Sequence, residues 1–144
     1  MFSSFFSSKN QKLVKQWQKE HEQIVVLAHK VIAGYSTHNH KAAKKALVKL
    51  NQLTVRHLME EDIELYRLLK DHARMDAETK VLVEEFKETF HGTKTALMDF
   101  LTKYTHKNSE LDDAFFKTFN EIVGVLGERI AFEEGKLYNK LDAK

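Results

Sequence analysis

Two side chains one helical turn apart, His57 and Glu61, are the pair in this 144-residue chain best placed to do chemistry. They lie on the run Leu50, Thr54, His57, Glu61, Leu65, Leu68 and His72, whose steps of three or four keep residues on one helix face. That face is otherwise mostly apolar. Polar groups on a buried face are costly unless they are ion-paired, hydrogen-bonded or bound to metal. Two further runs carry the same anomaly. His21 falls within Leu13, Trp17, His21, Ile24, Ala28, Val31 and Tyr35. Glu133 falls within Leu111, Phe115, Phe119, Ile122, Leu126, Ile130, Glu133 and Leu137, with Arg129 one turn earlier at the edge.

The elements that must position these groups are long helices. Proline is absent and there are only five glycines, which disfavours β-meanders and favours rods with short connections. Ser8 with Gln11 has capping-box spacing and predicts a helix from about Lys9, ended by Gly34 and the polar run Ser36 to Asn39. A second helix is predicted from about His40 to His72. A third, capped by Asp76, is predicted from Ala77 to His106, with Val83, Phe86, Phe90, Leu97, Phe100, Leu101 and Tyr104 inward. A fourth is predicted to start at a weak capping box, Ser109 with Asp112, and to run to about Leu141. The expected fold is all-α, a four-helix up-and-down bundle over residues 9–144, preceded by a Phe-containing arm of residues 1–8. At about 1.5 Å per residue, His21, His57, Glu61 and Glu133 then fall in neighbouring layers, with Lys94 and Arg129 in reach.

Composition narrows the rest. The net charge is +2 with acids and bases interleaved, so no nucleic-acid partner is expected. No apolar run is long enough to span a bilayer, and the first residues do not read as a signal peptide, so the expectation is a cytoplasmic protein without a membrane partner. Cysteine is absent, which excludes disulfides, thiolate metal sites and a cysteine nucleophile. A second stripe on the second helix, Val48, Val55, Met59, Ile63 and Tyr66, lies roughly 140° from the core stripe. It packs on a neighbouring element or offers a homodimer or partner surface. Glu60, Asp62 and Glu134 are expected in solvent, as are His29, His38, His40, His72 and His106.

Three segments together carry a resemblance: HEQI at 21–24, HLMEEDIELY at 57–66 and LGERIAFEEGKLYNKL at 126–141. They resemble the hemerythrin-like (HHE) domain, a four-helix bundle that often holds non-haem iron through histidines and His-x-x-x-Glu pairs. The resemblance implies that His21, His57, Glu61 and Glu133 are metal ligands. It also shows departures. Arg129 stands where the histidine before Glu133 is expected, and a guanidinium cannot ligate a metal. The histidine of the third helix is replaced by Phe90 or displaced to His91, which a regular helix turns about 130° from the stripe. Gly92 beside it is a place for a π-bulge that would turn His91 inward.

The resemblance therefore implies a partly degenerate pocket in a sensor or an iron- or oxygen-related binding protein, not an enzyme. It holds one non-haem iron ion in preference to two, or none. In the metal-free alternative, Arg129 and Lys94 replace the metal charge by pairing with Glu61 and Glu133. The chain is then a helical interaction module. The segment around Arg129 is also faintly similar to bacterial anti-sigma factors of the regulator-of-sigma-D type.

Overall fold

A computed structural model describes residues 9–70 and 76–138; within it the side chains of residues 9, 10, 65, 66 and 68–70 are not described. The predicted arm of residues 1–8, the capping Ser8, His72 and Leu141 lie outside the described residues, as do the side chains of Leu65, Tyr66 and Leu68. The described chain is all-α. Its helices are α1 (Lys9–Ser36), α2 (His40–Lys70), α3 (Ala77–Thr89), α4 (Thr93–Thr105) and α5 (Asp113–Phe132), and α5 passes directly into a π-helical turn, Glu133–Leu137. None of these helices is long and apolar enough to cross a membrane.

The reversal between α1 and α2 sets the register of the site. His38 takes a positive φ of 60°, and the Asn39 Oδ1 accepts the Ala42 N–H at 3.2 Å to start α2. Gly34 lets the two helices close tightly. A Cβ there would lie 2.8 Å from the Ala43 amide nitrogen, a backbone atom that cannot swing aside. From this crossing α1 and α2 run antiparallel, which brings His21 level with His57.

The third predicted helix is two helices. Phe90 closes α3, and Gly92 adopts φ 84°, a left-handed conformation that glycine takes without steric cost. The break takes the place of the π-bulge considered for Gly92. Asp76 caps α3 as expected, accepting the Thr79 N–H at 2.7 Å. The start of the last helix needs correction. The cap is Asp112, which accepts from the Phe115 N–H, and the predicted cap Ser109 bonds the Lys103 carbonyl instead.

α1 packs on α2 and α5; α2 packs on α4, α4 on α5, and α3 on the π-turn. The apolar interior is in two parts. The larger is built from Ile24, Ala28 and Val31 of α1, Leu47 and Leu50 of α2, Leu101 of α4 and Phe115 and Phe119 of α5. The smaller holds Val14, Trp17, Val83, Phe86, Phe90, Leu137 and Tyr138. His21 falls in sequence between Trp17 of one part and Ile24 of the other, so the polar cluster sits where the two meet. On the second stripe of α2, Val48 and Val55 are half-buried, while Met59 and Ile63 are 50% and 64% exposed.

Candidate metal centre

Two imidazoles face each other at the centre. His21 Nε2 and His57 Nε2 are 3.1 Å apart. The far nitrogen of each ring is held by a carboxylate: His57 Nδ1 by Glu20 Oε1 at 2.7 Å, and His21 Nδ1 by Glu134 Oε2 at 2.6 Å. A carboxylate accepts a hydrogen bond, so each Nδ1 carries a proton, and in the neutral ring each Nε2 then presents its lone pair. Two lone pairs at that separation repel unless a proton or a cation lies between or beside them. Carboxylates holding the far nitrogens are also the usual arrangement around metal-bound histidines.

Two more carboxylates complete the inner set. Glu133 Oε1 is 3.2 Å from His21 Nε2, and Glu61 Oε1 is 3.6 Å from His57 Nε2. One donor atom from each of His21, His57, Glu61 and Glu133 lies within 4.8 Å of all the others, and the four residues are 1–2% exposed. This set could hold a single metal ion, four nitrogen and oxygen donors being sufficient. Helix periodicity supplies the first three residues. Glu133 comes from the first residue of the π-turn.

Arg129 lies inside the same cluster, 3% exposed. Its Nη2 donates to Glu61 Oε1 at 3.0 Å, and its guanidinium stacks over the Phe86 ring at 4.9 Å. Its Nε is 3.6 Å from Glu133 Oε2, beyond hydrogen-bonding range, and neither atom has a partner among the described residues. One carboxylate oxygen of Glu133 is thus left over. The remaining side chain is Tyr138, whose hydroxyl donates to Glu61 Oε2 at 2.7 Å and lies 3.3 Å from His21 Nε2.

Electrostatics follow from burial. Burial first, then the neighbouring Glu133, push the Glu61 carboxyl up to about 8, against the pull of His57 and Arg129. Burial also raises Glu133, with Arg129 opposing. The Tyr138 hydroxyl is driven far above its ordinary range by burial and the nearby carboxylates, so it remains a donor. A carboxyl raised in the folded state binds its proton more tightly there than in the unfolded chain. Stability of the metal-free protein should therefore fall as pH rises from about 5 to about 8, by up to ~1.4 kcal/mol per pH unit for each proton released. Metal affinity should rise across the same window, because protons compete for the carboxylates. Urea titrations at several pH values, with and without metal, measure both trends; parallel trends would contradict this electrostatic account.

The structure brings together His21, His57, Glu61, Glu133 and Arg129 of the sequence candidates. It does not bring in His91 or Lys94. His91 is exposed at the break between α3 and α4. Lys94 pairs with Asp62, both half out in solvent, because α4 restarts after Gly92 in a new phase that points it at α2 rather than at Glu61 and Glu133. Glu134 and Asp62, expected in solvent, are 39% and 41% exposed at their side chains and also pair with His21 and Lys94. Glu20 and Tyr138 were not anticipated. Glu20 had a signal, since it is three residues past Trp17 and four before Ile24, on the inward stripe of α1.

One family model matches most of the chain: the Hemerythrin HHE cation binding domain, over residues 12–141. No curated protein and no solved structure matches it. With a match of that extent laid over a buried His/Glu cluster, the chain belongs to the hemerythrin HHE cation-binding domain family.

Proposed function

We propose that this protein binds one non-haem iron ion through His21, His57, Glu61 and Glu133, and acts as a sensor or regulatory binding protein rather than an enzyme. The observation that carries this is the pair of facing Nε2 atoms at 3.1 Å, with both Nδ1 atoms already taken by carboxylates. The leftover Glu133 oxygen supports it. On this reading α3 and α4 count as one bent rod, and the packing order α1, α2, α4, α5 and back to α1 is that of a four-helix up-and-down bundle.

Arg129 argues for one ion rather than two. Its fixed charge already offsets one of the two inner carboxylates. A second divalent ion beside it would leave a large excess of positive charge in a buried space. Bound iron supplies a redox-active centre with affinity for small diatomic ligands. The chain contributes the rest. Glu20 and Glu134 hold the two rings in one tautomer, and full burial keeps larger ligands out. The ligands join α1, α2 and the π-turn, so occupancy ties the C-terminal segment to the bundle. Ligand binding to the folded state stabilises it by mass action, so the segment becomes firmer as iron rises. That coupling suits a sensor.

Metal analysis after anaerobic loading with ferrous iron and desalting tests the proposal. One iron per chain is the expected result; two per chain, or none, overturns it. A second reading rests on the Arg129–Glu61 pair, buried on both sides at 3.0 Å. There the guanidinium does the metal's electrostatic work, and the bundle is a metal-free interaction module contacting partners through exposed Met59 and Ile63. No uptake of metal is the outcome that would favour it.

A further inference from the structure

The π-turn changes which residue can reach Glu61. Tyr138 is five residues past Glu133, and in a regular α-helix, at about 100° per residue, it would project about 140° away. Here the Tyr138 N–H donates to the Glu133 carbonyl, the i to i+5 closure of a π-helix. Five-residue spacing then brings two side chains over the same face. Glu133 and Tyr138 are each 1% exposed. The Tyr138 ring stacks on His21, 5.8 Å between centroids and 11° from parallel, and lies 5.7 Å from Trp17.

We propose that Tyr138 is a positioning residue for the metal site: its hydroxyl holds Glu61 Oε2, so that Glu61 offers the ion one oxygen, Oε1, on the side of His57. The proposal rests on the iron-binding reading above and adds to it how Glu61 is aimed. The geometry is specific. Glu61 Oε2 accepts the phenol at 2.7 Å, while Oε1 faces His57 Nε2 and Arg129 Nη2. Held by Tyr138 at Oε2 and by Arg129 at Oε1, the carboxylate keeps one orientation, with Oε1 on the side of His57. The His21 ring stacked on the phenol and the tilted Trp17 ring beside it fix the phenol in turn, and groups that orient metal ligands in this way typically contribute 10–100-fold to affinity.

The test titrates Co(II), as a spectroscopic probe of ferrous iron, into wild type, Tyr138→Phe and Leu101→Ala. Tyr138→Phe keeps the ring in its stack and removes only the donor. It should weaken Co(II) binding about 10–100-fold and alter the visible Co(II) bands. Leu101→Ala opens a cavity in the larger apolar part, which does not include Tyr138, so it should lower thermal stability while leaving Co(II) affinity within about threefold and the bands unchanged. Unchanged affinity and bands in Tyr138→Phe overturn the positioning role. So does a phenolate-to-iron charge-transfer band in the ferric wild type that Tyr138→Phe lacks, because the phenol would then be a ligand. Wild-type protein that takes up no Co(II) defeats the metal site itself, a separate failure.

Discussion

Exchanging Arg129 for methionine should destabilise the metal-free protein by about 3–5 kcal/mol at pH 8, and by much less at pH 5.5. Methionine roughly fills the space and keeps contact with Phe86, so the loss is mainly electrostatic. Arg129 is the one cation within reach of both inner carboxylates among the described residues. Without it, Glu61 and Glu133 confront each other at 1% exposure. Removing one member of a buried ion pair is far more damaging than replacing the whole pair, because the remaining charge has no compensation. Protonation provides relief. Glu61 already holds its proton up to about 8, and in the variant it would hold it higher still. At pH 5.5 Glu61 is then neutral, and the part of the loss that comes from its charge disappears. Urea denaturation at the two pH values measures the difference. Equal losses at both would assign Arg129 to packing over Phe86 rather than to charge balance. Divalent metal should rescue the variant at pH 8 more strongly than it stabilises the wild type, since a cation replaces the missing guanidinium.

The two halves of this site differed in how readable they were. His21, His57 and Glu61 stand on regular helices, where a polar residue inside an apolar stripe reports its own burial. Long helices and the absence of proline made the all-α class equally readable. What stayed hidden depended on backbone departures from 100° per residue. The left-handed Gly92 resets the phase of α4, which sends Lys94 to Asp62 and leaves His91 in solvent. The π-turn brings in Tyr138, and Glu134, although 39% exposed at its side chain, still reaches His21 from it. Gly135, a poor helix former inside that turn, is the one local hint. Such departures are decided by tertiary contacts, here the packing of Leu137 and Tyr138 on Trp17 and α3.

The Glu61→Gln variant should move two measurements in opposite directions. Metal affinity should drop by about 100-fold or more, beyond the effect of losing an orienting partner. The metal-free protein at pH 8 should be as stable as the wild type or more so. The reason is that Glu61 is kept there against its own preference: burial and Glu133 both oppose its charge. Glutamine has nearly the same shape and carries no charge. Its carbonyl oxygen can accept from Arg129, and its amide can donate to the Tyr138 hydroxyl, which then turns its own proton to His21 Nε2 at 3.3 Å, so the hydrogen-bond network survives. Arg129 then serves Glu133 alone. A residue kept for stability shows the reverse pattern, with stability falling and metal uptake indifferent to the change. Loss of binding alongside retained or increased stability would mean that the charge of Glu61 is maintained, at a cost to the fold, for the ion it receives.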